Sequence, residues 1–307
     1  MFKKKWLQFL FFLSLMAFSL QSSLFFSYSG NSIVAQEDPV EGWATILEMN
    51  EFPDGWTDLP TGYVDTQKWV TVLLAAGWNP ANIQIIHEEL HRSIVEDAVE
   101  FLIDNADAND IVFFYIATHG YWMINVIEWE SWFLDSWETI ASTNKLLVIS
   151  SCFAGNFTNS VAGDSTPHIS IGAAQGNEVS WAGLPEEGLP VIGCVMNHFL
   201  TTSLLDPTAD SNGDSEVSIE EAFTQAYPLI RDYYEDTVYP AFPDAAAING
   251  GVAPHPVIDD SYTGEFSLLI AVPNTQPSPF PFIVIPILAI AIGIVVTSGI
   301  MLYQKRR

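Results

Sequence analysis

Cationic side chains are scarce through most of this chain. Of ten Lys and Arg residues in 307 positions, Lys3, Lys4, Lys5, Lys305, Arg306 and Arg307 sit at the extreme ends. Only Lys68, Arg92, Lys145 and Arg231 remain against 37 Asp and Glu, all of which fall between Glu37 and Glu265. Nucleic acid is thereby excluded as a partner, because neutralising phosphates takes clustered cations. Such acidity favours solubility, cation binding or basic substrates, with salt adaptation as the competing explanation. Cysteine is as sparse, with Cys152 and Cys194 alone. In an oxidising exterior the plain expectation for two cysteines is one disulfide; otherwise one is a reactive thiol and the other a buried one. Cys194 lies in Leu189-Pro190-Val191-Ile192-Gly193-Cys194-Val195-Met196, an apolar stretch that suits a buried thiol. No internal repeat is found.

Polar residues are missing from both ends. The three N-terminal lysines precede an apolar run over residues 6–20, then Ser-rich sequence and Ser32-Ile33-Val34-Ala35-Gln36. A basic start, an apolar middle and a small-residue exit make residues 1–35 a secretory signal peptide. Apolar residues resume at Leu24-Phe25-Phe26, so an uncleaved signal anchor is the alternative. Residues 280–303 are almost free of polar groups and are followed by Lys305, Arg306 and Arg307. That length and that basic flank predict a transmembrane helix with residues 304–307 as a cytoplasmic tail. Residues 271–279 read as a Pro-rich stalk. The globular part is then residues 36–270, one domain's worth of chain, placed outside the cytoplasm at the cell membrane.

Within it, strand and helix patterns alternate. Residues 42–49 predict a first strand, followed by the loop Asn50-Glu51-Phe52-Pro53-Asp54-Gly55. Asp65 reads as an N-cap, with Trp69, Val72, Leu73 and Ala76 at helical spacing and Gly77 as the stop. Residues 82–87 predict a second strand, and Ile94, Ala98, Phe101 and Leu102 mark one face of a second helix. Further strands are expected over residues 168–174 and 189–194, and a helix over 197–204. Residues 121–137, rich in Trp, read as a flap or a connecting helix, and 245–251 and 253–256 as irregular. Alternation of this kind predicts an α/β fold with a mainly parallel sheet.

Two stretches organise the chain. Ile111-Val112-Phe113-Phe114-Tyr115-Ile116-Ala117-Thr118-His119-Gly120 and Leu146-Leu147-Val148-Ile149-Ser150-Ser151-Cys152-Phe153-Ala154-Gly155 are both apolar, β-rich runs. Each reads as a strand buried on both faces, and each stops at a reactive side chain. Sites in open α/β sheets form beyond the carboxyl ends of such strands. A His and a Cys delivered there suit a thiol nucleophile with a general base. With so few cations available to depress the thiol's pKa, His119 is the group left to activate it. His87, His91, His168, His198 and His255 end no comparably clear strand.

A strand ending in His-Gly, followed by one ending in Cys and small residues, resembles the caspase-like fold of cysteine peptidases. Ala173-Ala174-Gln175-Gly176-Asn177-Glu178-Val179-Ser180-Trp181-Ala182 looks like the stretch after the catalytic Cys strand in the legumain family, where an Ala pair precedes an acidic residue, a Ser and an aromatic. The resemblance runs over residues 42–223. It implies a catalytic His119 and a nucleophilic Cys152, with backbone N–H groups of Gly120 and Cys152 holding the oxyanion. It further implies Ser180, with the nearby Glu178, in the substrate pocket, and Asn50 as the residue that orients His119. Ser150-Ser151 before the Cys and Phe153-Ala154-Gly155 after it depart from the family patterns and leave substrate choice open. The activity implied is that of an endopeptidase acting on peptide or protein through an acyl-thioester, without a catalytic cofactor. Two other readings stand beside it: a transpeptidase of the same fold, and an inactive, calcium-stabilised surface binding domain.

Residues 210–221 match an EF-hand-like loop. Its oxygen ligands would be Asp210, Asn212, Asp214, the Glu216 carbonyl, Ser218 and Glu221, with Ser215 where glycine is usual. A structural Ca²⁺ is one expectation; an acidic turn with Ser218 and Glu221 forming a capping box is the other. Asn156-Phe157-Thr158 is a glycosylation sequon four residues beyond Cys152.

Overall fold

Ile111–Ala117 is buried at every position, as its unbroken apolar run requires. It lies at the centre of a six-stranded sheet in the computed structural model, which describes residues 38–87, 91–120, 129–163 and 166–270. In chain order the main elements are β1 (Gly42–Glu48), α1 (Val64–Ala75), β2 (Ile83–Ile86), α2 (Arg92–Asn105) and β3 (Ile111–Ala117). There follow α3 (Trp129–Thr139), β4 (Asn144–Ser150), α4 (Gly155–Val161) and β5 (His168–Gly172). The two-residue strands β6 (Ala182–Gly183) and β7 (Gly193–Cys194) come next, then α5 (Val195–Leu204), α6 (Ile219–Tyr233), α7 (Pro243–Ile248) and β8 (Val257–Asp260). The sheet order is β2-β1-β3-β4-β5-β8. Its first five strands are parallel and β8 pairs antiparallel with β5.

Helices cover both faces. On one, Ala44, Ile46, Phe113, Tyr115, Leu146 and Val148 pack with Trp69 and Leu73 of α1, Leu200 of α5 and Ile230 of α6. On the other, Leu47, Phe114, Ile116, Leu147 and Ile149 pack with Val99 and Leu102 of α2, Phe133 and Trp137 of α3, and Phe157 of α4. Strands enclosed this way carry side chains of both faces out of water, hence the continuous rather than alternating apolar pattern. Leu147 is fully buried. Leu147→Ala is expected to lower unfolding stability by about 2–5 kcal/mol, read from urea denaturation of both proteins.

Several local expectations change. Asp65 does not cap its own helix: Tyr63, in a left-handed conformation, is the N-cap of α1. The Asp65 carboxylate instead accepts from the Cys194 backbone N–H at 2.7 Å, at the start of α5. Residues 189–194 yield only the two-residue β7, paired antiparallel with β6 outside the main sheet. The sixth place in the sheet goes to Val257–Asp260, just beyond a Pro-rich stretch that reads as irregular. Residues 245–251 fall partly in α7. The signal segment (1–35), the stalk (271–279), the transmembrane helix (280–303), the tail (304–307) and residues 121–128 of the Trp-rich segment lie outside the described residues. Among the described residues no helix is long and apolar enough to cross a membrane.

Candidate active site

Register decides what meets at the carboxyl edge. Glu48 of β1 pairs with Ala117 of β3, and Ala117 with Ser150 of β4. Two residues further on in each chain come Asn50, His119 and Cys152. Thr118 N–H still donates to the Ser150 carbonyl (3.3 Å) and Met49 N–H to the Ala117 carbonyl (3.0 Å), so the three chains leave the sheet side by side. His119 and Cys152 line one cavity of about 260 Å³ with Asn50, Glu48, Ser150 and Ser180. The 32 residues between the His and the Cys are taken up by a crossover between adjacent parallel strands.

The His119 ring is held from the far side. Its Nε2 lies 2.8 Å from the Thr57 carbonyl oxygen. A carbonyl only accepts, so Nε2 carries the proton and Nδ1 is left with its lone pair. Phe52 and Trp56 pack against the imidazole at centroid distances of 4.5 and 5.3 Å. All three contacts come from the loop after β1. Asn50, expected to orient the ring, braces that loop instead. Its carbonyl oxygen accepts from Leu59 N–H at 2.8 Å and its side chain pairs with Thr61 Oγ1 at 3.0 Å. The Thr57 carbonyl went unseen because any residue type supplies one.

Cys152 ends β4 at a sharp turn. Phe153, next in the chain, has φ 58, a left-handed conformation that a non-glycine residue holds only under constraint. Its N–H is fixed by the Glu178 carbonyl at 2.8 Å. Gly120 packs flat against this turn, so close that a Cβ on it would stand 1.9 Å from the Cys152 carbonyl oxygen. Only glycine fits there. Burial pushes the Cys152 thiol above its ordinary range, while hydrogen bonding at Ser180 and the backbone N–H groups of Cys152 and Gly120 work in the opposite direction. Cys152 Sγ lies 3.6 Å from the Ser180 carbonyl oxygen. Both cysteines are free thiols, and the buried Cys194 thiol is pushed up to about 11 by burial and then by Asp65.

The cavity floor is acidic. Glu48 is 2% exposed; Thr61 Oγ1 donates to one oxygen (2.7 Å), and Thr66 N–H (2.7 Å) and Oγ1 (2.8 Å) donate to the other. Burial, reinforced by repulsion from Asp65, raises the Glu48 pKa against the pull of these donors. Asp65, also 2% exposed, accepts from Cys194 N–H, from Asn197 Nδ2 (3.0 Å) and from Lys68 Nζ (3.1 Å). Neither carboxylate stands out in the sequence as part of the site, since each lies in an ordinary strand or helix pattern.

Other expected residues divide. Ser180 lines the cavity, whereas Glu178 is a strut beside it: its carboxylate receives His255 N–H (2.7 Å) and pairs with His255 Nδ1 (2.6 Å). His168 is fully buried between Asp259 and Ser261, and His87 stacks on Tyr63. In the loop 210–221, Ser215 takes φ 78, so a serine adopts the conformation expected of glycine. Asp210 accepts from Gly213 and Ser215 N–H, Asn212 from Asp214 N–H, and Asp214 from Glu216 N–H. Ser218 and Glu221 form the capping box, and Glu221 also accepts from Ser211 and Asn212 N–H. Backbone donors, the Ser218 N–H first, pull Glu221 down to about 2. Among the described residues no three His, Cys, Asp or Glu side chains stand together as a metal site. Thr158 of the sequon is buried in α4, and Asn156 Nδ2 donates to the Gly176 carbonyl (2.9 Å).

No family model matches the sequence, and no curated protein matches it. Among solved structures, caspase-1 from Spodoptera frugiperda superposes with a TM-score of 0.51 at 17% identity, covering 78% of this chain and 98% of that one. The α/β sheet flanked by helices is thus a caspase-like fold.

Proposed function

We propose that this chain is a cysteine endopeptidase using Cys152 and His119. The observation that carries the reading is the shared register of β3 and β4, which leaves both side chains on one cavity. Sγ attacks the scissile carbonyl carbon as its proton passes to Nδ1 of His119. The oxyanion is held by the N–H groups of Gly120 and Cys152. The C–N bond then breaks, the imidazolium proton goes to the leaving amine, and an acyl-thioester remains. Water, deprotonated by His119, releases the carboxylic acid and restores the thiol.

Likeness to the legumain family, rather than caspases proper, is part of the proposal and rests on Ala173-Ala174 and Ser180-Trp181. So does the location, outside the cytoplasm and anchored by residues 280–303, which rests on the apolar runs and their basic flanks. The test is digestion of an unfolded protein by the full-length chain in detergent, beside Cys152→Ala. Cutting by the parent alone supports the reading; equal cutting by both, or none by either, ends it. Added hydroxylamine distinguishes hydrolysis from transpeptidation, since a transpeptidase diverts the acyl group to the amine.

A structural Ca²⁺ at residues 210–221 is a separate proposal, supported by the ligand pattern and by the glycine-like φ of Ser215. With affinity in the range of extracellular modules, about 10 mM Ca²⁺ is expected to raise Tm by about 3–8 °C over chelator. Asp214→Asn is expected to remove that rise. Identical melting with and without Ca²⁺ retires the ion.

A further inference from the structure

The row of side chains beneath the dyad is Glu48, Ala117 and Ser150, on the same sheet face and one strand repeat deeper. Ala117 is the small member, so the row has a gap between the carboxylate and the hydroxyl, and the cavity reaches into it. Asp65 enters this floor from α1, and Glu187 lines the cavity as well. No Lys or Arg is among the described residues that line it. Lys68 meets Asp65 from outside that lining and also donates to the Ile192 carbonyl at 2.8 Å.

The floor has unfilled hydrogen-bonding capacity. Glu48 and Asp65 each receive three donors, and a carboxylate has about four lone-pair sites. The Ser150 hydroxyl lines the cavity beside both carboxylates, with the Tyr115 hydroxyl and the Cys194 thiol as its buried neighbours. Buried acceptors are normally filled, so the open positions on two neighbouring carboxylates that line one cavity point to a ligand rich in N–H donors. Burial and Asp65 hold the Glu48 carboxyl above its usual range, a penalty that a neighbouring cation relieves.

We infer that the substrate residue on the acyl side of the scissile bond is Lys or Arg, its cation seated between Glu48, Asp65 and Ser150. This rests on the peptidase reading. The depth agrees, since one strand repeat is about 6.6 Å, the reach of a long side chain. An Asp in that position sets a third carboxylate against two others with no cation lining the cavity, and an Asn falls short of the floor.

The decisive experiment maps every cut that the full-length chain makes in an unfolded protein and subtracts those that persist in Cys152→Ala. Cuts after Lys and Arg are expected. Glu48→Gln, which keeps shape and one acceptor oxygen, is expected to lower kcat/KM on Arg and Lys peptides at least about tenfold relative to a matched Asn peptide. Cys152-dependent cuts after neutral or acidic residues overturn the inference and leave the peptidase standing. A second measurement reads the cavity without catalysis. Benzamidine is expected to raise the Tm of Cys152→Ala and to lose that effect when Glu48→Gln is added. No Cys152-dependent cutting defeats the peptidase reading, and absence of a benzamidine effect defeats the cationic pocket on its own.

Discussion

Cys152→Ala is expected to lower kcat/KM for peptide cleavage by at least about 10³-fold, and His119→Ala by a similar factor. The two act as one unit, so the double variant should be no worse than either alone. Burial raises the Cys152 thiol, so at neutral pH the resting group is mainly S–H and the thiolate forms as His119 takes the proton. The sign of the pH dependence follows. A raised thiol pKa means that the thiolate fraction, and with it the rate of alkylation by iodoacetamide, climbs by about tenfold per unit as pH rises toward that pKa. In His119→Ala the climb should persist while cleavage is lost. A flat alkylation profile between about pH 6 and 9 would contradict a raised thiol.

Gly120→Ala should give the second largest effect, although it removes no reactive group. The added methyl has nowhere to go, because its carbon would stand 1.9 Å from the Cys152 carbonyl oxygen and 3.0 Å from Cys152 Cβ. Both neighbours belong to Cys152 itself, so relief comes only by moving the end of β3 away from the end of β4. That movement lifts the Gly120 backbone, and with it the N–H proposed as an oxyanion donor, away from Cys152. Loss of one oxyanion donor costs about 10²–10³-fold in kcat. The expected outcome is a loss in that range, with KM little changed and stability lowered by about 1–3 kcal/mol. Single-turnover acylation measures the first effect and urea denaturation the second. Full activity in Gly120→Ala would falsify the packing of the Gly120 backbone against the nucleophile turn.

What could be read in the residues alone was the part governed by burial and by strand ends. β3 and β4 are enclosed by helices on both faces, so their apolar runs are unbroken and their ends abrupt, at Thr118-His119-Gly120 and Ser151-Cys152. Asp65 was read as a helix cap on the strength of its place beside an amphipathic pattern. It caps a helix that starts 130 positions later, because capping is a matter of position in space rather than in sequence. The antiparallel edge strand Val257–Asp260 was obscured by the prolines just before it, although Pro254 and Pro256 stand ahead of the strand and remove no hydrogen bond from its ladder.

The site divides in the same way. Sequence determined which residues are the candidates for chemistry, since a thiol and an imidazole are side-chain properties and their strand-end positions follow from local pattern. Tertiary structure decided what surrounds them. The Thr57 carbonyl that fixes the His119 tautomer and the Glu178 carbonyl that holds the turn after Cys152 are main-chain groups, common to every residue type and therefore silent in a sequence. Glu48 and Asp65 are ordinary acidic residues among 37 until the β1–β3 register and the entry of α1 bring both under the dyad. Their meaning is a matter of distance and burial, which only the folded chain supplies.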